Sequence, residues 1–239
     1  MRERGPHRLR FARTEADLDA VRRLRFQVFN LELGEGLDAS YLSGKDEDQF
    51  DAQCQHLMVE HAADGVVGTY RLQVAETAMA GEGFYSASEY DFSALPNAML
   101  MASVEAGRAC VAKGHRDKPT LYLLWCGLIA YLKFHNKKAF FGCSSLTSQD
   151  PAEGLRFYDE LEADGHVHPE YRVTPLPGFT CLAKDTSGPK VEMPKLFGMY
   201  LRHGARVLGP PAIDREFGTI DYLIYVEATR RHFRLFGSP

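Results

Sequence analysis

A carboxylate and a guanidinium group follow an apolar stretch in the middle of the chain. Residues 99–104 read MLMASV, and Glu105 and Arg108 come directly after them. A carboxylate at the end of a hydrophobic strand loses hydration, which raises its pKa toward the range where it accepts a proton at neutral pH. This position suits general-base chemistry, with an ion pair from Glu105 to Arg108 or Arg71 as the structural alternative.

Two further carboxylates, Asp48 and Asp51, lie in an acidic, glycine-containing stretch over residues 33–55 that has no apolar periodicity. A stretch of this kind is typical of a loop. Its paired carboxylates can bind an ammonium group of a substrate. They can equally pair with Arg25 and Arg71 and hold the loop in place. Both alternatives stay open on the sequence.

Arg71 is flanked by Tyr70 and Leu72 in a stretch that reads as a strand. An arginine in such surroundings is costly to bury unless it is paired. A guanidinium group can bind a carboxylate through two parallel hydrogen bonds. Arg71 and Arg108 are therefore candidates for binding the carboxylate of a small substrate.

The sequence gives little support for covalent catalysis or for a histidine metal site. Cys143-Ser144-Ser145 follows an apolar run but lacks the glycines of a nucleophile elbow, which argues against covalent catalysis. His166 and His168 have no third ligand at a recognisable spacing, so we predict no metal site there.

The elements that position these residues follow from periodicity and capping. Thr14 and Asp17 form a capping-box pattern ahead of an amphipathic helix. Residues 56–62 and 66–74 flank Ala-Asp-Gly and predict a hairpin.

The middle of the chain predicts a strand–loop–helix–strand unit. A strand over 99–104 leads to a basic loop, Lys113 to Lys118, then a helix over about 120–135 and a strand over 139–143. A helix N-terminus after such a loop can bind a phosphate group. Mixed strands and helices in this order predict an α/β (α+β) fold, a sheet with helices on its faces.

Composition narrows the class of protein. The 239 residues are 45% hydrophobic and 25% charged, as in an ordinary globular domain. A net charge of -4 argues against a nucleic-acid binder. Five cysteines without a CxxC pair indicate reduced thiols. No signal peptide or membrane span is recognisable, so we expect a cytoplasmic protein, with peripheral contact at the inner membrane face left open.

Four motifs in one order resemble the GNAT superfamily of N-acetyltransferases. The matching positions are Arg25-Phe26-Gln27-Val28-Phe29 (R-x-x-V-F), Asp48-Gln49-Phe50-Asp51 (D-x-F-D), Gly68 to Leu72 (G-x-x-R-L) and Glu105 to Arg108 (E-x-x-R). They resemble the bacterial branch of acyl-homoserine-lactone synthases, N-acyl amino acid synthases and the "hemolysin-like" ornithine N-acyltransferases. The tail, with Tyr200-Leu201-Arg202, Gly209-Pro210-Pro211-Ala212 and Asp214 to Asp221, is similar to the ornithine branch.

The resemblance implies a fold and an organisation. The expected sheet is mixed and mainly antiparallel, with a V-shaped splay between the family's fourth and fifth strands. The whole chain, 1–239, would form a single acyltransferase domain, with a core over 8–185 and a helix–strand extension over 190–239.

The resemblance also implies an activity in lipid biosynthesis. A long (3-hydroxy)acyl chain would pass from acyl carrier protein to the α-amine of ornithine, giving lyso-ornithine lipid. The pyrophosphate-binding loop of CoA-dependent relatives is incomplete between Arg108 and Gly114. This favours a 4'-phosphopantetheine donor on acyl carrier protein, with acyl-CoA left open and no permanently bound cofactor. The alternatives are an N-acyl amino acid synthase for glycine or an aromatic amino acid, a lactone-type synthase, and a silent binder of carrier protein or membrane.

Roles for particular residues follow from the expected acyl transfer. Glu105 is the predicted base, with Asp48 and Arg71 beside it in the reaction centre. The acceptor would be bound by Arg25, Phe29, Asp51 and Arg108. The acyl groove would include Met101, Leu124, Trp125 and Phe141. The acidic carrier protein would dock on Arg116, Lys118, Lys137 and Lys138.

Overall fold

The computed structural model describes residues 2–237. The strands are β1 (Arg2–Arg4), β2 (His7–Phe11), β3 (Gln55–His61), β4 (Gly65–Val74), β5 (Tyr90–Asp91), β6 (Ser103–Val111), β7 (Ala139–Leu146), β8 (Thr174–Pro175), β9 (Arg206–Val207), β10 (Ala212–Asp214) and β11 (Thr219–Glu227). The α-helices are α1 (Glu15–Phe26), α2 (Ser40–Ser43), α3 (Ala75–Ala80), α4 (Asn97–Met101), α5 (Lys118–Phe134), α6 (Pro151–Ala163), α7 (Lys195–Arg202) and α8 (Arg230–Phe236).

Shorter helical turns complete the chain. The 3-10 turns cover Gln49–Ala52, Tyr85–Ser88 and Lys113–His115, and α1 continues as a π-helix over Gln27–Leu33.

Within residues 2–237, nine strands form one sheet in the order β1-β2-β3-β4-β6-β7-β11-β10, and β9 also pairs with β11. The pairings are antiparallel except for β6 with β7, which is parallel. The prediction of a mixed, mainly antiparallel sheet is confirmed. The last long strand, β11, lies inside the sheet between β7 and β10.

The parallel pair β6–β7 opens after three rungs. It covers only Ser103–Glu105 against Ala139–Phe141. Directly beyond, the backbone of Gly142 lies so close to the carbonyl of Ala106 that a Cβ at position 142 would overlap it. A bulge then bends β6, with Arg108 at φ 47°. The predicted V-shaped splay lies at this junction.

The two faces of β4 carry different side chains because successive residues point to opposite faces. Tyr70 and Leu72 join the main apolar core under α5. Thr69, Arg71 and Gln73, which alternate with them, are buried polar residues. The helix α1 packs against β4 and β6, so its end lies beside these polar side chains.

Some boundaries differ from those predicted. The apolar run 99–104 is not one strand: α4 ends at Met101 and β6 begins at Ser103. Glu105 and Arg108 therefore lie inside the strand and not after its end. The strand predicted over 139–143 runs to Leu146, so the Cys143-Ser144-Ser145 stretch lies within β7.

Within the described residues, no helix combines the length and apolar character that crossing a membrane requires.

Candidate active site

Three aspartates and three arginines alternate in a buried network beneath β4 and β6. Arg25 Nε donates to Asp46 Oδ2 at 2.6 Å and Arg25 Nη1 to Asp51 Oδ1 at 2.9 Å. Arg71 Nη1 bridges Asp48 Oδ1 at 2.5 Å and Asp51 Oδ1 at 2.8 Å.

Arg108 closes the network from β6. Its Nη2 donates to Asp48 Oδ2 at 3.0 Å. Its guanidinium carbon lies 4.7 Å from the ring centre of Tyr85 and 4.4 Å from that of Phe217, within cation–π range. These contacts hold the side chain from three sides and can offset the uncommon positive φ of this residue.

The network shows which groups the carboxylate oxygens of Asp48 and Asp51 bind. The arginines hold the pKa values of Asp48 and Asp51 below their usual range despite burial. Neither aspartate is part of the cavity wall described below, and Arg25 is fully buried behind them. The loop is held in place by ion pairs, as one of the two alternatives expected.

Glu105 makes no ion pair with Arg108 or Arg71. Its Oε2 accepts hydrogen bonds from Gln73 Nε2 at 2.6 Å and the Tyr85 amide at 3.0 Å. Its Oε1 accepts from the amide and hydroxyl of Ser86 at 2.8 and 2.7 Å. Four donors match the roughly four lone-pair sites of a carboxylate. Glu105 thereby fixes the segment 85–86 against β6.

A cavity of about 630 Å³ lies in the opening between β6 and β7 and extends under α7. Arg71, Arg108 and Phe29 line it on the side of the arginine network. Glu35, Glu105 and Asp221 also lie on its wall. Its apolar wall is formed by side chains from the end of α1, from α5 and from α7, among them Val28, Leu33, Leu121, Leu124, Leu196 and Met199. The cavity thus has a cationic side, an acidic side and an apolar wall.

Asp221, on the acidic side, lies against a second carboxyl group, that of Glu89, which is not itself on the cavity wall. Oxygen atoms of Glu89 and Asp221 and the thiol of Cys143 all lie within 4.8 Å of one another. Glu89 Oε1 and Asp221 Oδ1 are buried and accept no hydrogen bond from any described residue. Burial and the charges of Asp221 and Asp214 raise the pKa of Glu89 well above its usual value. Burial, with a smaller contribution from Asp214, raises the pKa of Asp221 to about 6.

Glu35 and Cys143 complete this side. Burial and the charge of Asp221 raise the pKa of Glu35 to about 7, although Thr147 donates a hydrogen bond to it. Burial and the carboxyl groups of Glu89 and Asp221 raise the pKa of the Cys143 thiol well above its usual value. A thiol that stays protonated is a poor nucleophile.

The structure distributes the predicted groove residues differently. Leu124 is on the cavity wall, as expected. Met101, Trp125 and Phe141 are not among the residues that line this cavity. Trp125 stacks on Phe236 in the main core, and Phe141 packs on Phe84 in a second core. Both are aromatic residues in apolar runs, where sequence does not separate core from cavity wall.

The four predicted docking residues fall into two groups at opposite ends of α5. Arg116 lies on the cavity wall and pairs with Glu32 at 2.7 Å, and Lys118 is exposed. Lys138 is exposed beyond the far end of the helix. Lys137 is buried and donates to Glu76 and to the carbonyl of Met101, so it is not a free surface charge.

Sequence reasoning missed Glu35, Glu89 and Asp221. Asp221 carries the same signal as Arg71, a charge inside an apolar strand sequence, TIDYLIYV. Glu35 and Glu89 lie in polar stretches far from it in sequence, and only the tertiary fold brings Glu35 to the same cavity and Glu89 against Asp221. Local patterns do not contain that information.

Comparison with known proteins agrees with this geometry. Residues 24–126 match the family described as Acetyltransferase (GNAT) domain. The chain is 35% identical over 257 residues to an L-ornithine N(alpha)-acyltransferase of Brucella abortus, covering 98% of this chain and 90% of that protein.

Two solved structures share the fold. The AHL synthase LasI has a TM-score of 0.53 at 11% identity, over 97% of this chain and 95% of its own. FeeM, an N-acyl amino acid synthase, has a TM-score of 0.53 at 10% identity, over 92% and 91%.

The fold and the split between β6 and β7 define a GNAT-type acyltransferase. Within that class, the chain belongs to the family of L-ornithine N(alpha)-acyltransferases.

Proposed function

We propose that the protein transfers an acyl chain from a thioester to the α-amine of ornithine. The observation that carries this proposal is the division of the cavity into a cationic and an acidic side. Ornithine has one carboxylate and two amines, so it needs both. The names of the relatives support the same acceptor.

The acceptor carboxylate would lie against Arg108 and Arg71. Both guanidinium groups reach the cavity wall, and Asp48 holds them in position from behind. The three aspartates balance the three arginines, so a bound carboxylate would be held by hydrogen bonds from the remaining N–H groups of Arg71 and Arg108.

The side-chain ammonium of ornithine would lie against Asp221, with Glu89 directly behind it. Glu89 Oε1 and Asp221 Oδ1 can each accept a hydrogen bond that no described residue donates. An ammonium group has three N–H donors. Glycine and aromatic amino acids carry no second cation, so this acidic side disfavours those acceptors. The same argument disfavours a silent binder, because buried carboxyl groups that repel each other cost stability that a bound ammonium group would offset.

The reaction needs a deprotonated amine close to the thioester carbonyl. One proton passes from the α-ammonium to the base, the amine attacks, the C–N bond forms and the C–S bond breaks. A second proton passes from the nitrogen to the leaving sulfur, which departs as a thiol. The high pKa of Cys143 favours this direct attack over a covalent enzyme intermediate.

The base would be a carboxyl group on the cavity wall. Glu105 is the sequence-based candidate, but its four donors leave no lone pair for an ammonium proton. Glu35 titrates near neutrality, where a general base works best. We assign the proton transfer to Glu35 and a positioning role to Glu105.

The donor would be acyl carrier protein, docked where the cavity opens between the start of α5 and α7. Arg116, Lys195 and Arg202 line the cavity, and Lys118, two residues after Arg116, is exposed. An acidic carrier surface would be steered to them, and the acyl chain would lie on the apolar wall. Lys138 lies too far along α5 to join this surface, since a helix of 17 residues is about 25 Å long.

The product would be lyso-ornithine lipid, made by a single-domain cytoplasmic enzyme with peripheral contact to the membrane that receives it. The test uses purified protein with ornithine, lysine, glycine or tyrosine, each with acyl carrier protein or CoA carrying the same 3-hydroxyacyl chain. Mass spectrometry should detect N-acylornithine made most efficiently from the carrier-protein donor. Acylation of glycine or tyrosine at equal efficiency would contradict the ornithine assignment.

A further inference from the structure

Three histidines from separate parts of the chain meet at the edge of the molecule near β2. His7 begins β2 and lies directly opposite His61 of β3 in the sheet register. His115 ends the 3-10 turn before α5. The ring centres are 5.0 Å apart for His7 and His61, and 4.8 Å apart for His61 and His115. One nitrogen from each ring lies within 4.8 Å of the others.

A carboxylate holds two of these rings. Asp64 Oδ2, in the turn between β3 and β4, lies 2.8 Å from His61 Nδ1 and 3.0 Å from His115 Nε2. A carboxylate that accepts an N–H from a ring fixes the tautomer and the direction of the other nitrogen. Metal-binding histidines in proteins usually have such a partner.

His7 lacks the partner that a buried imidazole needs. Its side chain is buried, at 6% exposure, and neither Nδ1 nor Nε2 makes a hydrogen bond with a described residue. A buried polar group without a partner costs about 1–3 kcal/mol. The two rings beside it are held by Asp64, and a metal ion would bind a nitrogen of all three rings at once.

We propose that His7, His61 and His115 bind one divalent transition-metal ion, with Zn²⁺ as the best match, and that Asp64 orients two of the ligands. Imidazole nitrogens suit zinc and its first-row neighbours, whereas Ca²⁺ and Mg²⁺ prefer oxygen. Tetrahedral zinc with Zn–N bonds of about 2.0–2.1 Å needs nitrogens about 3.3 Å apart. The ring nitrogens lie within 4.8 Å of one another, so metal binding would draw them together by up to about 1.5 Å through side-chain rotation.

The site would tie three elements together. It joins β2, the β3–β4 hairpin and the segment before α5. Arg116, which lines the cavity, follows His115 directly. The ion would therefore fix the chain beside the cavity opening, outside the cluster of residues that binds the acceptor.

The test is metal binding by the full-length protein, independent of its activity. Chelator-treated protein is titrated with ZnCl₂ by calorimetry and with CoCl₂ by visible absorption. We expect one ion per chain, a tetrahedral cobalt spectrum and a higher melting temperature with zinc. His61→Ala and His115→Asn should each weaken zinc binding at least tenfold, and Asp64→Asn should weaken it about 10- to 100-fold.

His166→Ala is the matched control, because His166 is not part of the cluster, and it should bind zinc like the parent. Circular dichroism establishes that each variant is folded, and His115→Asn, in a turn, serves if His61→Ala does not fold. Absence of zinc and cobalt binding by the parent protein would overturn the proposal. Unchanged affinity in His115→Asn and His61→Ala, both folded, would overturn it equally.

Discussion

The carboxylate of Asp51 accepts a hydrogen bond from Arg71 at 2.8 Å while the same oxygen accepts one from Arg25 at 2.9 Å. One oxygen thus joins the middle of β4 to the first long helix. Asp51 is buried at 2% exposure, so no solvent replaces these contacts when they are lost.

The variant Asp51→Asn should be strongly destabilised. It removes one negative charge and leaves two buried guanidinium groups short of a partner, which costs about 3–5 kcal/mol in comparable cases. Urea denaturation measures the free energy of unfolding. Asp19→Asn, which breaks surface pairs with Arg23 and Lys45, is the control and should change it much less. Equal effects at both positions would contradict the buried network.

The variant Asp221→Asn should separate stability from substrate binding. Replacing the carboxylate relieves its repulsion with Glu89, so the melting temperature should rise. The KM for ornithine should increase about 10- to 100-fold, because a charged hydrogen-bond acceptor for the side-chain ammonium is lost. Steady-state kinetics and thermal denaturation on one preparation measure both. A rise in stability with an unchanged KM would place the side-chain ammonium elsewhere.

The pH–rate profiles of Glu35→Gln and Glu105→Gln should differ in kind. With Glu35 as base, kcat/KM of the parent rises with pH through about 7, and Glu35→Gln loses that limb together with about 10²- to 10⁴-fold in kcat. Glu105→Gln should keep the shape of the profile. Its carboxamide turns an N–H toward donors, so it should lose about 1–3 kcal/mol of stability instead. The opposite pattern would restore Glu105 as the base.

Stability should fall as pH rises from about 5 to 8, in part because of Glu35. Its folded-state pKa of about 7 lies above the usual 4.5, so the folded protein binds more protons in this window and loses that advantage as they dissociate. The contribution is on the order of 3 kcal/mol at about 1.4 kcal/mol per pKa unit. Glu35→Gln should flatten the dependence, measured by urea denaturation at several pH values. A parallel curve in parent and variant would refute this ionisation.

The variant Gly142→Ala should disrupt the junction of β6 and β7. Its Cβ would overlap the carbonyl of Ala106, and backbone cannot move aside as a flexible side chain can. We expect the variant to lose several kcal/mol in the free energy of unfolding, or to fold with β6 and β7 displaced and to have little acyltransferase activity. Gly114→Ala, which meets no atom within 4 Å, should behave like the parent. The melting temperature and the rate of acyl transfer are compared for the two variants. Equal values would show that the junction tolerates a side chain at position 142.

The sequence predicted the sheet, the caps and the order of elements because those depend on local pattern. The Thr14–Asp17 capping box and the hairpin around Ala-Asp-Gly are both present. It also placed Arg71 and Arg108 at the site, because charges in apolar strands stand out. It could not show that Glu105 is saturated by Tyr85 and Ser86, since that depends on the fold of a polar segment.

For the same reason, the sequence did not predict which distant residues come together at the site. Glu35 and Asp221 line one cavity, and Glu89 lies against Asp221, only because the tertiary fold brings these distant segments together. The division into a core over 8–185 and an extension over 190–239 stays a prediction, and β11 of the latter pairs along β7 of the former.

The short pairing of β6 with β7 leaves the sheet with two internal edges. Beyond Glu105 and Phe141, each strand is hydrogen-bonded on its outer side only, to β4 or to β11, among the described residues. Such an edge can accept an extra extended chain through its backbone groups. A pantetheine arm, which carries two amides, has the length and the donors to act as a temporary strand there. The donor would then complete the sheet for as long as it is bound, and its departure as a free thiol would reopen it.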